Sequence, residues 1–228
     1  MNTAYLVPGQ TEKLISLQAR TYLRTKLGDP ERFPSVKAQM TALQDSIVSS
    51  ATKAKALAGD LTRTKPQLHL LGKEIAMRAS APIRQHAELF ARKAVELMDD
   101  GKALADSVLG PREGYGYVDS EIRGWIRDQV KTPEGMQAVS TLYKSDKNVA
   151  SVLYSSPYFL LGISEALHGK MAATAVEKFA PKGAALLTEG AALSKIVGNY
   201  ESVVSDIHNS FYSAEVVAKA EASRVEVD

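Results

Sequence analysis

From Val36 to Leu61 the apolar residues Val36, Met40, Leu43, Ile47, Ala51, Ala54, Leu57 and Leu61 recur at steps of three and four, with Gln, Asp, Ser, Thr and Lys between them. That is the period of one helix face, and it predicts a long amphipathic arm opening after Phe33-Pro34-Ser35. Its alanine-rich seam allows close approach of another helix, either within the chain or, as in a coiled coil, between chains. After Lys65-Pro66 the same spacing returns through Leu68, Leu71, Ile75, Ala79, Ile83, Ala87, Phe90, Ala94 and Leu97. Pro82 falls inside this second arm; it lacks an N–H and crowds the preceding turn, so a kink or break near Ala81 is expected. Asp99-Asp100-Gly101 reads as a stop, followed by a short helix to Leu109.

Before these arms, residues 1–8 read as an extended tail. Thr11 to Lys26 reads as a first helix with Leu14, Leu17 and Ala19 through Leu23 on its apolar side, ended by Gly28-Asp29-Pro30. Beyond the arms, Gly110 to Tyr117 holds three glycines and a proline and is the clearest loop in the chain. It divides the sequence into helical arms (1–109), the Gly/Pro loop (110–117) and a C-terminal helical region (118–228), which can also pack as one domain with the first. Asp119 is expected to cap a helix presenting Ile122, Trp125, Ile126 and Val130. Thr132-Pro133-Glu134 is a helix start, with a capping hydroxyl, proline at the first position and an acid suited to the helix dipole.

Asp146 or Asn148 opens a shorter helix, and Ser164 with Glu165 opens another that ends at Ala180-Pro181-Lys182-Gly183. A final long arm is expected from Ala184, through Leu187, Leu193, Ile196, Val197, Tyr200, Val203, Val204, Ile207, Phe211 and Val216, with Ser223–Asp228 fraying. No alternating run demands a sheet. The expected fold is all-α: long antiparallel helical arms forming a bundle, plus a C-terminal set of shorter helices.

Composition adds limits. The chain has 228 residues, 45% hydrophobic and 24% charged, which suits a folded domain with a real core. With no cysteine there is neither a disulfide framework nor a thiol nucleophile. No run approaches the roughly 20 apolar residues of a spanning helix. The N-terminus lacks a basic region followed by an apolar core, so no secretory signal is expected. A net charge of +2 does not point to nucleic acid. Lys13, Arg20, Arg24 and Lys26 form the best basic cluster; it reads as a solvated face, with phosphate contact as the alternative.

Candidate chemistry is sparse. His69, His86, His168 and His208 are scattered. Glu165-Ala-Leu-His168 has the Glu-x-x-His form of carboxylate-bridged di-iron bundles, but a second copy is missing. Asp206-Ile-His208 has the wrong spacing for one helix side. Gly110, Gly114 and Gly116 match neither phosphate-loop nor dinucleotide spacing. No catalytic residue, cofactor or metal site is expected, and the chain reads as non-enzymatic.

The longest uncharged run, Asn148 to Ser164, carries the residues of greatest interest: Tyr154, Pro157, Tyr158, Phe159, Leu160 and Leu161. Exposed, they would anchor a partner; buried, they would plug a bundle end.

The order Glu121-Ile-Arg-x-Trp-Ile, Thr132-Pro133-Glu134-Gly135, then Ala150-x-x-x-Tyr-x-x-Pro157-x-x-Leu160-x-Gly162-Ile163-Ser164 resembles helical proteins of tailed bacteriophages encoded near capsid, portal and tail genes. The resemblance covers about residues 118–180 and carries no catalytic residues. It implies a virion-associated structural or assembly protein (internal, ejection or portal/connector-associated) working through helix contacts in many copies. Its implied partners are itself and other virion or portal-region proteins, and its implied location is the virion or host cytoplasm. The alternative is a cytoplasmic all-α adaptor or regulatory protein-binding module.

Overall fold

A computed structural model describes residues 5–223, and all of their regular structure is helical. The fraying expected of the last residues concerns positions that lie, after Ser223, outside that range. The α-helices are α1 (Thr11–Gln18), α2 (Arg20–Leu27), α3 (Lys37–Leu57), α4 (Lys65–Leu109), α5 (Gly116–Gln129), α6 (Pro133–Leu142), α7 (Lys147–Ser155), α8 (Tyr158–Leu161), α9 (Glu165–Phe179), α10 (Pro181–Val197), α11 (Tyr200–Phe211) and α12 (Ala214–Ala222). The chain is therefore all-α, with long arms and shorter C-terminal helices. Two compact units divide it: residues 1–94 with 192–228, and residues 95–191. The Gly110–Tyr117 loop lies inside the second unit, while the divisions fall within α4 and α10.

In the first unit, Met40, Leu43, Ile47, Ala51 and Ala54 of α3 are buried, as their spacing predicts. Leu61 is the exception at 96% exposed, because α3 ends at Leu57 and Ala58–Asp60 turn the chain. The single helix expected over Thr11–Lys26 is two helices, broken at Ala19, whose ψ is 117°. On a continuous helix the buried pairs Leu14/Leu17 and Leu23/Leu27 would face about 130° apart. The break lets α1 and α2 both pack on α3.

The centre of this unit is α11, which touches α1, α2 and α3 and buries Tyr200, Val203, Val204, Ile207 and Phe211. It runs antiparallel to the first part of α4. His69 accepts from the Ser213 N–H at 3.0 Å, Ser80 meets His208 at 3.0 Å, Arg84 pairs with Glu201 at 3.0 Å, and Phe90 stacks edge-on to Tyr200. The final arm expected from Ala184 is thus three helices: Gly198-Asn199 separates α10 from α11, and Ser213 caps α12. Apolar spacing continued across both breaks, which is why the pattern concealed them.

Helix α4 is broken neither at Pro82 nor at Asp99-Asp100-Gly101. Pro82 lies within the helix. Buried Ala79, Ser80 and Ile83 flank it, and the packing of that face outweighs the lost backbone bond. One turn on, His86 Nδ1 donates to the Pro82 carbonyl at 2.8 Å. Gly101 is no stop either: it is buried at a contact with Gly183 of α10. A Cβ added at Gly101 would lie 2.8 Å from the Gly183 oxygen, and one at Gly183 would lie 2.7 Å from the Gly101 oxygen.

In the second unit, α7 is the central helix, and Val149 to Leu153 are buried without interruption. A helix covered on several sides has no room for charge, which explains the first half of the uncharged run. Around it lie α5 and α9, with the last turns of α4, where the Ser151 hydroxyl donates to the Leu109 carbonyl at 2.9 Å. The caps follow their residues: Thr132 accepts from Gly135 N–H at 3.1 Å, Asp146 from Asn148 N–H at 2.7 Å and Ser164 from Leu167 N–H at 3.3 Å. Asp119 is not a cap. Helix α5 starts at Gly116, so Asp119 lies in its first turn, 8% exposed and 3.6 Å from the Arg112 guanidinium.

No helix among the described residues is long and apolar enough to cross a membrane.

Candidate interaction surface

The uncharged run changes character at Ser156. Ser156 ends α7 in an extended conformation, and Pro157 cannot continue the ladder, so the chain turns out of the core. Tyr158–Leu161 then makes the single turn α8, closed by the Gly162 N–H bonding to the Tyr158 carbonyl. Gly162 has φ +71°, a left-handed value that glycine takes without cost. Space is not its constraint, since an added Cβ would stand 3.4 Å from Val130.

Within this turn the side chains divide. Leu161 is fully buried in the second unit's core and Ile163 beside it is 9% exposed. Tyr158, Phe159 and Leu160 are 40%, 66% and 41% exposed, and Pro157 is exposed as well. The Tyr158 and Phe159 rings meet edge-to-face, 5.9 Å apart at 88°. Tyr158 has no hydrogen-bond partner among the described residues, leaving its hydroxyl free for another molecule. Helix α8 rests on α5 and α9, and Ser164 caps α9 directly behind it, so this apolar tip is anchored at both ends.

Tyr154 stands apart. Half-buried on α7, it donates through its hydroxyl to Asp106 at 2.7 Å. Burial, then the hydrogen bond to that carboxylate, push its phenol up to about 12. The Asp106 carboxyl is held low, chiefly by Tyr154 and then by Lys102. Tyr154 therefore ties α7 to α4 rather than belonging to the exposed patch, and Leu161 serves the core. Of the six residues singled out in sequence, Pro157, Tyr158, Phe159 and Leu160 share the surface.

Other candidates have local partners. His168 Nε2 donates to the Leu153 carbonyl at 2.9 Å, so the Glu165-x-x-His168 unit joins α9 to α7. No group of three or more His, Asp or Glu among the described residues is placed to hold a metal ion. Asp206 accepts from the Tyr22 hydroxyl and pairs with Lys13 at 3.5 Å. Arg20 pairs with Asp45 at 2.7 Å and Arg24 approaches Asp29 at 3.8 Å, so carboxylates offset much of the basic cluster.

The structure also joins residues that no spacing could connect. Ser80 and His208 form a Ser-His pair across 128 positions. The Ser80 hydroxyl donates to the Ala76 carbonyl at 2.7 Å, so it accepts from His208 Nε2–H, and Nδ1 faces the Tyr212 hydroxyl at 3.1 Å. That polarity is the reverse of an activated nucleophile, and Ser80 is 1% exposed. Arg112, in the loop, donates to Asn148 at 2.7 Å and covers the Tyr115 ring at 4.0 Å while facing Asp119. It fastens α5 and α7 to the loop.

Fold and surface together define an all-α protein with a small exposed aromatic tip seated on α5 and α9. Comparison with protein-family models, curated proteins and solved structures finds no match.

Proposed function

We propose that the chain is a non-enzymatic structural or assembly protein of the tailed-bacteriophage type, acting through helix contacts in multiple copies with α8 as an anchor. The observation that carries this reading is the exposed Tyr158-Phe159-Leu160 tip held by buried Leu161. The resemblance over residues 118–180 supplies the phage context. Burying three such side chains is worth on the order of 5–8 kcal/mol. Association costs about 4–15 kcal/mol in lost freedom, so one tip alone makes at best a weak contact. A ring or lattice repeats the contact and converts weak sites into avidity, which favours a multi-copy assembly.

The test is light scattering on the full chain over a range of concentrations, with Phe159→Ser/Leu160→Ser alongside. The wild type is expected to exceed the mass of one chain as concentration rises, and the variant to stay smaller with an unchanged melting temperature. A wild type that remains a single chain throughout refutes self-assembly and leaves the adaptor reading.

A further inference from the structure

The corner between α2 and α3, flanked by the end of α10 in the first unit, forms a half-open pocket of about 530 Å³. Two buried side chains hold the corner open: the Tyr200 hydroxyl donates to the Leu27 carbonyl at 2.9 Å, and Gln44 Nε2 donates to the Gly28 carbonyl at 2.7 Å. Phe33 and Ile196 supply apolar wall, and Arg24, Arg32, Lys195 and Asn199 supply polar groups. Asp29 is the one acid in the lining, 3.8 Å from Arg24. Arg32 and Lys195 have no ion pair among the described residues. Three cations against one carboxylate leave a surplus of two positive charges in a concave site.

We infer that this pocket binds a small molecule of mononucleotide size that carries a phosphate group. Two surplus charges match a phosphate monoester, which carries about −1.5 to −2 at pH 7. Arginine's planar fork suits its oxygens, and lysine adds a mobile point charge. The volume lies within the usual range for small-molecule sites, and the apolar wall accepts a ring or sugar face. A nucleic-acid strand would need a basic track leading away from the pocket. Outside the lining, Lys13 and Arg20 on α1 and α2 are already paired with Asp206 and Asp45, which leaves Lys26 as the single further cation of these two helices, too little for such a track. The inference is independent of the assembly reading, because no residue of α8 takes part.

The test is isothermal titration of the full chain with inorganic phosphate, adenosine 5′-monophosphate, adenosine and a single-stranded oligonucleotide. Saturable one-to-one binding of the monophosphate, weaker binding of phosphate and none of adenosine are expected. Arg32→Ala/Lys195→Ala should weaken binding roughly tenfold or more with an unchanged circular dichroism spectrum; Arg32→Gln/Lys195→Gln replaces it if that variant loses its fold. No saturable isotherm with either phosphate probe up to roughly 10 mM, or equal binding by the variant, overturns the inference. Oligonucleotide binding without a monophosphate isotherm overturns it in favour of a nucleic-acid surface.

Discussion

Gly101→Ala tests how α4 meets α10 in the second unit. Alanine in place of a helical glycine ordinarily stabilises by about 0.5–1 kcal/mol, because the unfolded chain loses freedom. At Gly101 the added methyl would lie 2.8 Å from the Gly183 oxygen and 2.9 Å from both the backbone nitrogen and Cγ of Leu187. Ordinary carbon–oxygen contacts stand at about 3.3–3.6 Å, so the helices must separate by roughly half an ångström. Two of the three obstacles are backbone atoms, which cannot rotate aside. Overpacking of this kind costs about 1–3 kcal/mol, which exceeds the propensity gain and leaves a net loss of about 1–2 kcal/mol.

Gly169→Ala is the matched control, since Gly169 lies within α9 with nothing inside 4 Å of its added Cβ. It should gain up to about 1 kcal/mol. Urea unfolding followed by circular dichroism reads both, with midpoints moving in opposite directions at constant slope. A Gly101→Ala midpoint equal to or above wild type, with Gly169→Ala stabilising as expected, refutes the close crossing.

Two further outcomes follow from titrating groups. Burial, then Lys65, holds His69 below its ordinary value of 6.5; burial, then Arg84, does the same for His208. A depressed histidine binds its proton more readily in the unfolded chain, so stability is full above about pH 6.5 and falls as pH drops below it, with a limiting slope of about 1.4 kcal/mol per pH unit for each ring. Urea midpoints between about pH 5 and 8 should show this slope, and His69→Gln/His208→Gln should flatten it; an unchanged slope refutes the assignment. Tyr154→Phe removes the donor to Asp106 and should cost about 1 kcal/mol, because the carboxylate is partly solvated. Carboxyl NMR should then show Asp106 titrating nearer the usual range, and an unmoved titration would sink the account.

Three- and four-step apolar spacing determined the all-α class, because a helix that buries one face must repeat at its own pitch. Thus Met40 through Ala54, the caps at Thr132, Asp146 and Ser164, and the turn at Pro157 were all legible locally. The aromatic tip was legible as a set of residues but not as a surface. Tyr154, Phe159 and Leu161 look alike in sequence, yet one ties helices together, one faces solvent and one fills the core. Tertiary structure decided that, since exposure depends on what α5 and α9 cover. It also decided that neither Pro82 nor Gly101 ends the helix, that Ala19, Gly198 and Tyr212 do mark breaks, and that Ser80 meets His208. Local propensities are worth about 1 kcal/mol per residue, or about 3 for proline, and the packing of whole faces outweighs them. Contacts between residues more than a hundred positions apart leave no spacing to read.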